Sequence, residues 1–393
     1  MILSKIKGDK VIWAIVLLLS IISMLAVYSS ISTLSYKSGG GNQFSILIKH
    51  SLTTILGLVL MYYVHKLKFS YYSRIAQLAF WVSIPLLILT LGLGTTYNEA
   101  ARWLTVPGLG ISFQTSDFAK IALIMYVARL LAKKQDDIKD FKSAFLPVLF
   151  PIFMICGLIL PANFSTAAVL FATCLILMYV GRVNVKYLLM LIGTGVLLLS
   201  IFIAVALNSP NTGRIGTWKK RIENFSSGDK ANNNSNYQVN QAKIAIATGG
   251  ILGKGPGKST QRNFLPHPYS DFIFAFIMEE YGLIGGMFVM FLYVLLLLRT
   301  IRIANKAENH FGAFLAIGCG ILLVFQAMIN MAVAVNLFPV TGQPLPFISK
   351  GGTSVIFTGI AIGMILSVSK SMEPEADVKP MNRKQKGGEL AAA

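Results

Sequence analysis

Four stretches of this 393-residue chain place ionisable or turn-forming residues inside or at the rim of long apolar runs. An uncompensated charge there costs several kcal/mol, so each such residue is a functional candidate by default. Carboxylates in these places suit a general base, and ammonium or guanidinium groups suit a departing phosphate oxygen. The first stretch is Phe113 to Lys120, where Asp117 and Lys120 stand three apart and can pair on one helix face. Ser116 or Thr115 can cap that helix, and an acid in its first turn suits the dipole. Cap and ion pair are the plain reading; the sharper one adds that Lys120 lies deeper than a snorkelling lysine and can meet a phosphate. The second is the tight turn Ala162-Asn163-Phe164-Ser165-Thr166, which alone signals a helix N-cap and little more. In the third, Leu265 to Phe274, Asp271 opens an apolar run, and Glu279 and Glu280 follow about two turns further in. One of these glutamates must find a cation or backbone partner or stay protonated; Arg102, Lys120 and Lys350 are nearest in depth. The fourth, Pro339 to Ser354, reads as a rigid re-entrant loop from its three prolines and three glycines, with Ser349 and Lys350 in it.

The elements that must position these residues follow from composition. Apolar residues make up 54% of the chain and charged ones 13%, about half the supply of a soluble domain, with a mean hydropathy of +0.65. A soluble single-core domain and a disordered chain are both excluded. Ten apolar stretches can span a bilayer, at about 11–33, 46–64, 75–95, 116–132, 144–161, 165–181, 187–207, 271–298, 311–335 and 354–371. Their continuous apolarity predicts an all-α polytopic membrane protein rather than a barrel. The first run is too long for a cleaved signal peptide and lacks a cleavage pattern. With the N-terminus inside, every short inside loop is basic, and the short outside loops hold only Lys37, Arg102 and Lys350. Both termini are therefore expected in the cytoplasm. Residues 208–270 then form a large extracytoplasmic loop between helices seven and eight, with nine basic residues against two acids, a net of +7. It is either a solvated basic loop or a funnel for an anionic ligand. Its asparagine tip at Ala231 to Ser235 precedes a short amphipathic helix at Tyr237 to Thr248. The run Gly249 to Ser259 misses the P-loop spacing, because Leu252 stands where the first glycine belongs, yet its amides can still cradle a phosphate. Residues 1–371 make one transmembrane domain, and 372–393 a disordered cytoplasmic tail whose end resembles an expression scar. Cys156, Cys174 and Cys319 lie in apolar runs, without disulfide-framework or metal-ligand spacing. The overall excess of basic residues, 35 against 16 acids, points to cytoplasmic loops and anionic membrane lipids, not to nucleic acid.

This layout and these motifs resemble the SEDS family (shape, elongation, division and sporulation) from about residue 11 to 371, most closely at Tyr237–Gly286 and Pro339–Ser354. The resemblance implies a peptidoglycan glycosyltransferase of the bacterial cytoplasmic (inner) membrane, polymerising lipid II on the extracytoplasmic side beside a class B penicillin-binding protein. It matches Asp271 to the family's essential acid, Asp117 and Lys120 to its Ser-Glu-x-x-Lys pair with aspartate for glutamate, and Arg102 and Trp103 to its Arg-Trp segment. Gln238, Gln241, Ser259 and Gln261 match its outer-loop signature. The sequence departs where Asn163 and Ser165 replace an Asp and a Gly, where His267, Tyr269 and Ser270 precede Asp271, and where Lys350 replaces a frequent Tyr. The first departure removes an acid from any metal proposal at that turn. Pro339-Val340-Thr341-Gly342 resembles the elongation branch; the 162–167 turn and compact length resemble division proteins, the branch this reading favours, with other divisome proteins as further partners.

Under that resemblance, Asp271 is the catalytic base for the attacking sugar hydroxyl, and in-line attack inverts the anomeric centre. Arg102, Lys120, Lys258 and Arg262 are the diphosphate partners; Asp117, Ser259, Gln261, Ser349 and Lys350 complete the substrate site, and Gln238, Gln241, Glu279 and Glu280 support it. The sequence names no certain cofactor, and whether a divalent cation (Mg2+ or Mn2+) assists the diphosphate stays open. A flippase for the same lipid is the rival, disfavoured because the polar residues gather in the outer half of the spans. A pure scaffold does not explain Asp271 beside a basic loop.

Overall fold

The computed structural model describes residues 7–31, 43–97, 100–105, 112–208, 234–264 and 271–372, with the isolated positions 216 and 219. Ala231, Asn232 and Asn233, the segment 265–270 with His267, Tyr269 and Ser270, much of the basic loop, and the tail from 373 lie outside the described residues. Each of the ten apolar runs carries a helix: α1 (Lys10–Ile31), α2 (Gln43–Lys66), α3 (Phe69–Leu93), α4 (Thr115–Lys133), α5 (Leu146–Ile159, entered through a π turn at Phe141–Phe145), α6 (Phe164–Val180) and α7 (Val185–Asn208). After the amphipathic α8 (Asn234–Gly249) come α9 (Ile273–Lys306), α10 (His310–Ala334) and α11 (Thr353–Lys370). Seven are long and apolar enough to cross a membrane, α6 and the first part of α7 form shorter apolar helices, and α4 carries Asp117, Lys120, Arg129 and Lys133. The protein is a mostly helical polytopic membrane protein.

Among the described residues, the fold departs from all-α at one place. A three-stranded antiparallel sheet, β1 (Thr95–Tyr97), β2 (Ala100–Thr105) and β3 (Ser112–Gln114), fills the connection between α3 and α4, in the order β1-β2-β3. Trp103 stands opposite Gln114, and β3 runs directly into α4, so the strand bearing Arg102 is set beside the start of that helix.

Helix α10 is central, packing on α4, α6, α9 and α11. Leu315, Ala316, Cys319, Ala327 and Ala334 along it are fully buried. The most extensive pairing is α2 with α11, where small residues bring backbone to backbone: a Cβ on Gly359 would lie 2.4 Å from the Gly57 carbonyl. At one end of the bundle Asp9 caps α1 and accepts two bonds from Arg299 at 2.7 and 2.9 Å, while Ser367 and Lys370 reach the carbonyls of Leu67 and Lys66. At the other end the starts of α4, α6, α9 and α11 meet the end of α10, and there the sequence candidates converge.

Helix α9 is broken. Gly282 adopts φ 68°, ψ −168°, interrupting the ladder where no side chain would be accommodated. A broken span must have its freed backbone groups satisfied by protein. The run after α8 does so: Lys254 and Gly255 amides donate to the Glu279 and Glu280 carbonyls at 3.0 and 2.9 Å. Leu283 and Ile284 amides donate to the carbonyls of Gly250 and Ile251 at 2.9 and 3.3 Å. Helix α8 lies on α9 through Val239, Ala242 and Ala245, one face at helical spacing.

Candidate active site

The start of α4 brings Asp117 Oδ1 to 2.8 Å from Lys120 Nζ, both residues buried. Lys120 Nζ also reaches Gln326 Oε1 on α10 at 3.5 Å. Asp117 Oδ2 is buried and has no hydrogen-bond partner among the described residues. This pair lines a narrow crevice between α4, α10 and α11, beside Ser354 and Thr358. Neither Ser116 nor Thr115 caps the helix as expected: Gln114 holds the cap position without a side-chain bond. Thr115 Oγ1 instead pairs with Thr90 Oγ1 at 2.8 Å, and Ser116 Oγ accepts from Gln114 Nε2 at 3.0 Å. The β3 strand had already turned the chain inward, so both hydroxyls point at neighbours rather than at their own helix end.

Asp271 lies half-buried just ahead of α9, outside its hydrogen-bonded turns. Asn330 Nδ2 donates to the Asp271 carbonyl at 2.9 Å and to the Gln343 carbonyl at 2.8 Å. Gln343 Nε2 donates to Thr166 Oγ1 at 2.5 Å, and Asn163 Oδ1 caps α6 by accepting from the Thr166 amide at 3.2 Å. Gln326 Nε2 donates to the next carbonyl, Pro344, at 2.9 Å. The four stretches are therefore joined by one amide network whose members lie up to 224 positions apart in sequence (Lys120 to Pro344).

The connection between α10 and α11 is rigid and buried, as its prolines and glycines suggest. Leu345, Phe347, Ile348 and Ser349 are at most 1% exposed. Phe347 takes a left-handed φ of 63°, uncommon for a bulky side chain, and persists because its surroundings over-determine it. Ser349 Oγ accepts from the Leu345 amide at 2.7 Å, the Ser349 amide donates to the Leu345 carbonyl, Tyr293 donates to the Pro346 carbonyl, and Ser23 to that of Ile348. Ser349 thus shapes the turn. Lys350 is half-buried past the turn, and burial, then the Lys49 charge, hold its ammonium below the ordinary lysine range.

The glutamates correct the sequence reading. The cation that meets Glu279 is Lys254, at 2.6 Å, a residue the sequence reading had not put forward for that pairing. Glu279 also accepts from Ser259 Oγ, the Thr260 amide (3.0 Å), Thr260 Oγ1 (2.9 Å) and the Gln261 amide (3.3 Å). Glu280 accepts from Ser29 Oγ and from the Gly257 amide at 3.0 Å. Within this glycine-rich run, then, the Gly257 amide meets a carboxylate of the protein itself, while the Gly253, Lys254, Gly255 and Lys258 amides donate to backbone carbonyls. Ser259 and Gln261 face Glu279, Arg262 donates to the Ser29 carbonyl at 3.2 Å, and Lys258 stays exposed. Gln238 and Gln241 are half-buried on α8, and the side chain of Arg102 lies outside what is described.

Sequence reasoning missed Gln326 and Asn330, the two amides at the centre of the network. Their signal was available: two uncharged amides four apart in an otherwise apolar run share one helix face. His50, whose Nε2 meets Ser23 Oγ at 2.9 Å, was missed as well, standing within a run otherwise read as apolar.

The FtsW/RodA/SpoVE family, described as cell cycle proteins, matches residues 9–373. A probable peptidoglycan glycosyltransferase FtsW of Trichlorobacter lovleyi is 31% identical over 369 residues, 93% of this chain and 94% of the relative. Stage V sporulation protein E of Bacillus subtilis is 33% identical over 371 residues, 93% and 98% of the two chains. Among solved structures, a chain of a peptidoglycan synthase complex superposes with a TM-score of 0.72 at 24% identity, covering 94% of this chain and 99% of that one. The rod shape determining protein RodA of Thermus thermophilus gives 0.67 at 23%, covering 94% and 99%. These last two support the fold.

Proposed function

The chain belongs to the FtsW/RodA/SpoVE family of cell cycle proteins, and from that premise we propose that it is a peptidoglycan glycosyltransferase that polymerises lipid II at the extracytoplasmic face of the bacterial cytoplasmic membrane. The observation that carries the reading is the amide network that gathers Asp271, the Asp117–Lys120 pair and a buried loop at one end of the bundle. All ten long helices cross the bilayer in this proposal. The basic residues Lys66, Lys68, Lys133, Lys134, Arg182, Arg299 and Lys370 lie at the opposite end, which the positive-inside rule assigns to the cytoplasm.

Asp271 takes the proton from the 4-hydroxyl of one lipid II sugar as that oxygen bonds to the anomeric carbon of another. The bond from that carbon to the diphosphate breaks, and the electron pair leaves with the diphosphate. Lys120, supported by Lys350, Lys258 and Arg102, stabilises the departing charge in a site shielded from water. Adding or withholding Mg2+ or Mn2+ in the assay tests whether the diphosphate needs a divalent cation. A class B penicillin-binding protein is the proposed partner and septal synthesis the proposed role, supported by relatives named FtsW; the elongation role is the alternative.

The test is lipid II polymerisation by the purified protein, alone and with a cognate class B penicillin-binding protein. Asp271→Asn should reduce the rate by on the order of 10²–10⁴ while leaving the protein folded. Wild-type polymerisation by that variant would overturn the base assignment. No polymer from the wild-type complex, together with transbilayer movement of labelled lipid II in vesicles, would establish a flippase instead.

A further inference from the structure

We infer that Asn330 and Gln326 are positioning residues that hold the base and the diphosphate cation in one frame; the inference rests on Asp271 and Lys120 having those roles. Both amides are buried, at 1% and 4% exposure, four residues apart on one face of the central helix α10. A side-chain amide has two N–H donors, and Asn330 divides its pair between the Asp271 carbonyl at 2.9 Å and the Gln343 carbonyl at 2.8 Å. Gln326 divides itself differently, donating to the Pro344 carbonyl at 2.9 Å and accepting from Lys120 Nζ at 3.5 Å. Consecutive carbonyls of a buried, multiply tied loop are thus the common reference for the two reacting partners.

Packing alone does not call for amides here. Leu322, Leu323, Ala327 and Met331 flank them on the same helix, and an apolar side chain would avoid the desolvation of a buried amide. Asp271 precedes the first turn of α9, and the Asn330 bond ties its carbonyl to the central helix α10. A base displaced by about 1 Å loses on the order of 10²-fold in rate, even when the change lies outside the reacting groups. Loss of the Lys120 contact instead loosens a group that meets the diphosphate both before and during transfer, which raises KM and leaves kcat.

The experiment measures kcat, KM and thermal midpoint for polymerisation by the full chain carrying Asn330→Leu, Asn330→Ser, Gln326→Met or Asp271→Asn. Asn330→Leu should lower kcat on the order of 10²-fold with KM retained. Asn330→Ser, which keeps one hydroxyl donor, should recover part of that loss, and Gln326→Met should raise KM with kcat retained. Wild-type kcat in a folded Asn330→Leu protein would overturn the inference. If that variant fails to fold, Asn330→Ser decides, and wild-type kcat there overturns it equally. A parallel decline of kcat, KM and thermal midpoint in both the Asn330 and Gln326 variants would mark a merely structural tie and also overturn it. Polymerisation retained by Asp271→Asn would refute the base itself, so the two failures are distinguishable.

Discussion

Replacing Glu279 by glutamine keeps its shape and removes its charge, and the cost can be worked from its contacts. One carboxylate oxygen accepts from Lys254 Nζ, the Thr260 amide and Thr260 Oγ1; the other from Ser259 Oγ and the Gln261 amide. The glutamine nitrogen does least harm on the second side, where the Ser259 hydroxyl can rotate to accept from it. The Gln261 amide, shared between the two oxygens at 3.4 and 3.3 Å, then keeps only its bond to the first, a loss of about 1 kcal/mol. On the first side the bond from Lys254 loses its charge assistance, a further ~1 kcal/mol, since charged hydrogen bonds contribute roughly that much more than neutral ones. The Lys254 side chain is 26% exposed and can turn to solvent, so the full penalty of a stranded buried charge does not apply. The expected destabilisation of Glu279→Gln is about 2 kcal/mol, read by reversible denaturation in mixed micelles. Faster protease cleavage between Gly249 and Asn263 should accompany it, because that segment loses its anchor. A change within about 0.5 kcal/mol, the range of an ordinary surface substitution, would refute the reasoning. So would a Lys254→Met, Glu279→Gln double mutant in which the two effects simply add.

Three other outcomes follow from the same geometry. Gly282→Ala should cost about 3–5 kcal/mol by the same denaturation assay, from ~1–3 of backbone strain and about 1 for each of the bonds to Gly250 and Ile251 that must part. The clash is unavoidable there, since its Cβ would lie 2.2 Å from the Ile251 carbonyl. Gly359→Ala should separate α2 from α11 and lower stability by about 1–3 kcal/mol, measured in the same way. Asp140 accepts from the Ser143 and Lys142 amides at 2.7 and 3.1 Å, and these bonds, Ser143 first, hold its carboxyl below the ordinary range. Its folded-state pKa is depressed, so its contribution is present above the unfolded value and is lost as pH falls through the folded one. The thermal midpoint should therefore drop less between pH of about 6 and about 3 in Asp140→Asn than in wild type.

What the sequence made legible divides along physical lines. Apolar runs long enough to span a bilayer report their helices directly, and α8 was visible in the spacing of Val239, Ala242 and Ala245. Asp117–Lys120 and the Asn163 cap were readable because their partners lie three residues away. The rigid loop was readable because proline and glycine act on their own backbone. Contacts set by tertiary approach were not. Lys254 and Glu279 are 25 positions apart, and only the break at Gly282 explains why that loop comes to that helix. A glycine inside a long apolar run reads as a tolerated helical residue, and nothing local announces its positive φ. The short sheet was hidden for a related reason: its strands are three to six residues long, too short for alternation to stand out.

The fate of the glycine-rich run bears on how an outer anion is met. Its amides and Lys254 form the kind of concavity that binds phosphate elsewhere, and here Glu279 and Glu280 occupy it. A lipid diphosphate entering the site would therefore compete with carboxylates that are covalently part of the protein, at a very high effective concentration. Such a competitor is not displaced by a ligand of ordinary affinity, so the run acts as a clasp between loop and broken helix. The cations left for the diphosphate are those the clasp does not engage. Lys258 is exposed on its outer side; Lys120 is buried beside the crevice, and Lys350 is half-buried past the rigid turn. Burial makes the last two worth more per charge than an exposed lysine, because the field of each is less screened. Lys120 is also the one that the amide network ties to the loop, and through it to Asp271. On these grounds the diphosphate is expected at the mouth between α4 and the rigid loop, with the glycine-rich run as its wall rather than its cradle.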